Sequence, residues 1–335
     1  MKKFLMIILN PIFLIVLHAQ QRPQYTQYIL NNYILNPALT GIENYVDLKI
    51  SARDQWVGLN GAPRTAYLSI HAPIGKKDLK TTPISFSIPG TNPRGNAYWQ
   101  SYTASEPHHG IGFSMVSYKT GLYDQFSADV SYAYHIGLSP RTNMSMGFAG
   151  GIRKIGYDRS NATPAEPNDP AIGRGDNLIF KLRPDLAAGI WIYSADYFAG
   201  LSAQQVIPDK VALNDTLGFK LVPHLFATAG YRFLINEDIN AIPSVMFKFI
   251  HPLDPQFDLN IKFQYRDLLW LGGSYRLQNG YAVMVGLNVG NTLNFGYAYD
   301  FTETSLHTAS QGTHEIMLGF LIGNRYADTC PRNIW

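Results

Sequence analysis

Apolar and polar residues alternate with period two along most of this chain. In 257–266, Phe257, Leu259, Ile261, Phe263 and Tyr265 share one parity, and Asp258, Asn260, Lys262, Gln264 and Arg266 share the other. Successive side chains of a β-strand point to opposite faces, so this stretch predicts a strand with one apolar and one polar face. The same alternation runs through Val46 to Arg53, Ala128 to Ile136, Tyr281 to Val289 and Glu315 to Ile322. Fourteen such segments are predicted, near 45–56, 64–73, 109–119, 123–138, 142–156, 183–193, 196–206, 222–235, 239–251, 257–266, 269–278, 280–290, 292–301 and 313–322. They are separated by turn signals such as Ser139-Pro140-Arg141, Asn236-Glu237-Asp238 and Gln278-Asn279-Gly280.

Two all-β architectures fit this pattern: a soluble sandwich or solenoid, and a closed barrel in a membrane. Periodicity alone does not separate them, because a sandwich buries the same apolar face. Length does: a tilted strand crosses a bilayer in about 9–11 residues, and most of these segments are that long. Composition agrees. Charged residues are only 15% of the 335, while aromatics reach 13%, with 21 Tyr. Tyr and Trp suit the membrane–water boundary, where Tyr118, Tyr123, Tyr193, Tyr197, Tyr281, Trp56 and Trp270 are expected near strand ends. The fold expected is an all-β, antiparallel up-and-down transmembrane β-barrel of about 14 strands over 45–322. Its apolar face meets lipid and its polar face lines the lumen. By parity, Asp47, Lys49, Arg53, Arg232, Asp258, Lys262, Arg266 and Glu315 are lumen-facing charges. Both signs are present, so they can knit the lumen shut or leave a polar path.

Residues 1–19 read as a signal peptide, with Lys2 and Lys3 ahead of an apolar run and Leu17-His18-Ala19 at the cleavage site. With the N-terminus of the mature chain in the periplasm, the longest odd-to-even connectors (157–182, 207–221 and 302–312) face outside and short even-to-odd turns face inside. Connector 74–108 breaks this rule. It is expected on the periplasmic side, unless a hairpin near Ile84 to Ile88 raises the strand count to sixteen. The pre-barrel segment 20–44 places Tyr25, Tyr28, Ile29, Asn32 and Tyr33 at helical spacing, with Asn36-Pro37 as the stop. It reads either as a short helix that plugs the lumen or caps the periplasmic mouth, or as a plain lead-in strand. Residues 323–335 are a C-terminal tail, where the single Cys330 reads as a free thiol.

Little in the chain points to chemistry. The formal charge is +3, too small for a nucleic-acid footprint. One cysteine excludes a multi-thiolate metal site. His108 and His109 are adjacent, so a strand turns them to opposite faces and they cannot share a metal. Glu106 and Asp124 are the acids that could approach them. Gly272-Gly273-Ser274 lacks the geometry of a nucleophile elbow, and no phosphate or dinucleotide loop is present. The reading is a protein that is not an enzyme and takes no cofactor or metal.

Three stretches resemble a known family. Tyr33-Ile34-Leu35-Asn36-Pro37-Ala38-Leu39-Thr40-Gly41 is similar to a Y-x-x-N-P-A-x-x-G motif. Arg53, Gln55, Trp56 and Gly58, then Gly61, Pro63 and Thr65, resemble an R-x-Q-W-x-G…G-x-P-x-T signature. His314-Glu315-Ile316-Met317-Leu318-Gly319 resembles the closing strand of the same family. This is the PorP/SprF family of type IX secretion membrane proteins of Bacteroidetes. The resemblance implies an integral outer-membrane barrel in the type IX secretion and gliding motility machinery. The partners it implies are a periplasmic ring lipoprotein and its partner, a peptidoglycan-binding adaptor, or secreted surface adhesins. The alternative function is a passive porin or uptake channel. Alkaline carbonate extraction of membranes is expected to leave the chain in the pellet, and release into the supernatant excludes a spanning barrel.

Overall fold

A computed structural model describes residues 23–76, 102–158, 178–212, 218–266, 268–277, 279–290, 292–302 and 310–324. The leader 1–19, the hairpin considered near Ile84 to Ile88, most of connectors 74–108, 157–182 and 302–312, and Cys330 lie outside the described residues. The described strands are β1 (Val46–Asp54), β2 (Arg64–Ile74), β3 (His108–Thr120), β4 (Tyr123–Ser139), β5 (Thr142–Asp158), β6 (Leu178–Tyr193), β7 (Tyr197–Gln204), β8 (Asp209–Ala212), β9 (Gly218–Leu221), β10 (His224–Tyr231), β11 (Phe233–Asn236), β12 (Ile239–Ile250), β13 (Gln256–Tyr265), β14 (Leu269–Arg276), β15 (Gly280–Val289), β16 (Leu293–Thr302) and β17 (Thr313–Ile322).

The sheet closes on itself. β17 pairs antiparallel with β1, from Val46 opposite Ile322 to Asp54 opposite His314. At the other seam β10 bridges β7 and β12. The result is a fourteen-stranded antiparallel barrel. β11 prolongs β10 past Arg232 and pairs with β12, and β8–β9 is a separate hairpin. β2 pairs directly with β3, from Ile74 opposite His109 to Arg64 opposite Lys119. β2 and β3 are therefore neighbours in the wall, which has fourteen strands and not sixteen.

Burial is inverted relative to a water-soluble fold. On β13, Phe257, Leu259, Ile261, Phe263 and Tyr265 lie exposed on the outside, while Asp258, Asn260, Lys262 and Gln264 are buried inside. On β15, Tyr281, Val283, Val285, Leu287 and Val289 face out, and Ala282, Met284 and Asn288 face in. An apolar band around a ring of paired strands is the surface a bilayer solvates. The aromatic expectation holds only in part: Tyr281 faces out, but Trp270 and Tyr193 are buried in the lumen. Their parity on β14 and β6 places them with the inward side chains.

Short turns at 140–141, 194–196, 237–238, 266–268 and 290–292 share one end with the start of β1 and the finish of β17. Short turns mark the periplasmic end of such barrels, so the opposite end is the outer one. β6 overhangs that outer rim, because β7 pairs it only through Ala187 to Tyr193. The overhanging edge is blunted. Leu186 offers its carbonyl toward β7, to the Val206 N–H; two residues on, Pro184 has no N–H to offer, and the Leu182 carbonyl takes a hydrogen bond from Arg183 at 3.2 Å.

Ile261→Arg, at the middle of the outward face of β13, is expected to cost about 2–4 kcal/mol. Denaturant titration of the barrel folded into vesicles measures this; a change no larger than that of Lys262→Arg on the inward face would contradict the assignment of faces.

Candidate functional site: the plugged lumen

Residues 23–45 run through the lumen from the outer end to the periplasmic end, where β1 begins. They fold as three single turns of 3₁₀ helix, Gln27–Leu30, Asn32–Ile34 and Pro37–Leu39. Of the two readings of this segment, a short helix or a lead-in strand, the backbone follows the helical one, as 3₁₀ turns rather than a continuous α-helix. The segment is buried on all sides, including Tyr25, Tyr28, Ile29, Asn32 and Tyr33, and the barrel wall supplies hydrogen-bond partners that an α-helix would otherwise take from itself. Asn36 caps the last turn, its side-chain oxygen accepting from the Ala38 N–H at 2.9 Å.

The outer end of the plug is held by charge. The Thr26 N–H donates to Glu315 at 2.7 Å, and its hydroxyl donates to Asp300. Arg53 donates to Glu315 at 2.9 Å, to Asp300 at 2.7 Å and to the Thr26 hydroxyl at 2.6 Å. Arg276 donates to Asp300 and to the same hydroxyl, and sits 3.5 Å from Asp258. Buried charges persist only when paired and hydrogen-bonded, and Thr26 completes the pairing. The Gln27 side chain also donates to the Glu315 backbone carbonyl.

Further in, the wall reads the plug largely through its main chain. Gln204 donates to the carbonyls of Ile34 and Leu35, Ser202 to that of Leu35 and Ser145 to that of Ala38. Asn36 returns the favour, donating to the wall carbonyls of Ile190 and Leu201. Asn260 donates to the Tyr28 hydroxyl, Asn31 donates to Ser69, and the Tyr33 hydroxyl meets Ser131. At the periplasmic end the Gly41 N–H donates to His71, and His135 donates to the Thr40 carbonyl at 2.8 Å while meeting the Tyr193 hydroxyl with its other nitrogen. The approach is close. A Cβ on Gly147 would lie 2.4 Å from the Pro37 carbonyl oxygen, and one on Gly110 would lie 1.9 Å from that of Thr40. Gly41 itself has φ +75 and packs against Gly110.

A family model, described as "Type IX secretion system membrane protein PorP/SprF", matches residues 17–320. The chain belongs to the PorP/SprF family. It is accordingly an outer-membrane β-barrel protein of the type IX secretion system. No curated protein matches it. Among solved structures it is similar to the toluene transporter TbuX of Ralstonia pickettii, at 9% identity and TM-score 0.48 over 87% of this chain and 92% of that one. It is also similar to Omp33 of Acinetobacter baumannii (8%, 0.46, 84% and 100%) and to a FadL homologue of Pseudomonas aeruginosa (8%, 0.47, 91% and 96%).

The PorP/SprF motif residues divide between plug and outer rim. Tyr33, Asn36, Pro37, Ala38 and Gly41 make the plug contacts just described. Arg53 and Glu315 join in the charged cluster, and Thr65 is buried nearby on β2. The remaining residues build the loop between β1 and β2. The Gln55 N–H bonds the Pro63 carbonyl, the Trp56 N–H bonds Thr313, and the Gly61 carbonyl accepts from Gly121. Trp56 has φ 49 and Gly58 φ 98, so the loop turns sharply over the outer mouth. His314 faces outward, bonded to the Tyr297 hydroxyl.

Asp47, Lys49, Arg53, Arg232, Asp258, Lys262 and Glu315 are buried in the lumen. Arg266 is not. β13 ends at Tyr265, so parity carried one residue too far; Arg266 sits exposed in the periplasmic turn, paired with Asp238 at 2.9 Å. Arg276 and Asp300 were missed as lumen charges although each shares the polar parity of its strand, as were Arg153 and Asp185, which pair with each other. Thr26 carried no signal. His108 stacks on His135 inside the lumen, and His109 faces out to the Tyr132 hydroxyl. Glu106 lies by His108, whereas Asp124 sits opposite Lys119 at the other end of β3. Among the described residues no group of three metal-ligating side chains occurs.

Arg53→Met leaves Asp300 and Glu315 buried with one cation fewer. It is expected to lower stability by about 3–5 kcal/mol, read from the urea midpoint of the folded barrel; a midpoint within error of wild type would show that the cluster does not hold the plug.

Proposed function

We propose that this PorP/SprF protein is a non-catalytic docking barrel of the type IX machinery, closed to solutes. The single observation behind this reading is the occupied lumen: residues 23–45 fill it from mouth to mouth, bonded to wall strands on several sides. Rigid strands then serve to hold connectors where partners reach them. Connector 74–108 and the periplasmic mouth face the ring lipoprotein and its partner or a peptidoglycan-binding adaptor, and connector 157–182 faces secreted adhesins. Membership of the family supports the machinery; the choice of partner is our inference. A passive porin needs an open path, and the plug stands in it.

Two measurements test the reading. In planar bilayers the wild-type barrel is expected to give no solute-sized conductance steps, and steady open steps would favour the porin instead. Deleting residues 76–104 is expected to abolish co-purification of periplasmic partners from detergent-solubilised outer membrane, with the heat-modifiable barrel retained. Unchanged co-purification would remove that connector from the docking site.

A further inference from the structure

Outward-facing charges on the barrel strands are confined to one place. Among the described residues they are Asp54 on β1, Arg64 on β2, Lys119 on β3, Asp124 on β4, and Lys154 and Asp158 on β5. All lie at the outer ends of these strands. The outward faces of β7, β10 and β12 to β16 carry none, and no outward charge lies at the periplasmic ends of the strands. The arc sits directly above the apolar band: Leu68 and Ile70 lie below Arg64 on β2, Met115 and Ile111 below Lys119 on β3, and Ile152 below Lys154 on β5.

The cations in this arc are poorly matched by the protein. Arg64 and Lys119 are direct cross-strand partners, and like charges placed opposite one another are destabilising. Arg64 has a side chain 77% exposed and reaches Asp54 only through Nε, at 3.3 Å. The Lys119 ammonium has no ion pair or hydrogen bond among the described residues, even though Asp124 is its register partner on β4. Lys154 rests over the Phe180 ring, 5.0 Å from its centroid. An anion seated between Arg64 and Lys119 removes the like-charge conflict, and Lys154, on β5, offers a second cation to another anionic group along the same arc.

We propose that the outer ends of β2, β3 and β5 bind the phosphate groups of an anionic glycolipid in the outer leaflet. The position selects the ligand. The cations lie at the limit of the lipid-solvated band, on one arc and in one leaflet, where a phosphate attached to acyl chains is held at that height. A free phosphate has no reason to prefer this level over any other exposed cation. The consequence is a barrel with a preferred lipid-bound side, set by β2 to β5. This inference does not depend on which protein partner the barrel docks.

The test uses the full chain in detergent micelles and titrates diphosphorylated lipid A, dephosphorylated lipid A and inorganic phosphate, with binding read by native mass spectrometry. Wild type is expected to retain diphosphorylated lipid A, more weakly as ionic strength rises, and not the dephosphorylated form. The triple variant Arg64→Gln, Lys119→Gln, Lys154→Gln is expected to lose about a hundredfold in affinity, at roughly fivefold per cation, while Arg266→Gln at the periplasmic end binds as wild type. Heat modifiability confirms that each variant is folded. Equal binding by the triple variant, or equal retention of dephosphorylated lipid A, overturns the proposal. Binding of inorganic phosphate as tight as that of lipid A overturns the lipid assignment.

Discussion

Everything in this structure follows from one constraint: inside a bilayer no peptide group can be left without a hydrogen-bond partner. A sheet meets it only by closing, which it does through β17 with β1 and β10 with β12. Closure then dictates the side chains. Because neighbours on a strand face opposite ways, the ring separates an apolar exterior from a polar interior, and the sequence must alternate over nearly its whole length. The overhang of β6 shows the same constraint from the other side. Where pairing stops beyond β7, Pro184 and Arg183 remove or occupy groups that would invite another strand.

The interior then becomes the harder problem. Fourteen strands enclose a lumen too wide for wall side chains to fill, and that lumen is lined with Asp, Glu, Arg, Lys and amides. The segment before β1 resolves this. It brings Thr26 to the charged cluster at the outer end and offers main-chain carbonyls to Ser145, Ser202 and Gln204 further in. Wall and plug are complementary in shape as well, since Gly110 and Gly147 leave the room that Thr40 and Pro37 occupy. The family motif thus has a physical reason at most of its positions: Asn36 both caps a turn and bonds two wall carbonyls, and Arg53 neutralises two buried carboxylates.

Period-two alternation makes the barrel legible in the sequence, because alternation is a local property of neighbouring residues. Strand positions followed to within a few residues, with β6 starting five residues earlier than expected. What was not legible depends on distant parts of the chain. Residues 25–33 read equally as a short helix or a lead-in strand; enclosed by fourteen strands that supply hydrogen-bond partners, the same residues fold as 3₁₀ turns. Arg266 was misplaced because parity says nothing about where a strand ends. Nearness to strand ends predicts interfacial positions for Trp270 and Tyr193, but the parity of each strand sets the face, and both point into the lumen. Arg276 and Asp300 were within reach of the same parity argument; their meeting with Arg53 and Thr26 was not, since it joins β1, β14, β16 and the plug.

For a secretion component, a closed barrel separates two tasks. On the docking role proposed above, the membrane-spanning wall and its plug would keep the outer membrane sealed, while connectors at either mouth would meet the partner. The account stands on the plug being an integral part of the folded barrel. Amide hydrogen exchange on the purified protein tests this most directly. The N–H groups of Thr26, Ala38 and Gly41, bonded to Glu315, Asn36 and His71, should exchange as slowly as those of the barrel strands. Exchange at the rate of an unstructured peptide, with the strands still protected, would contradict it.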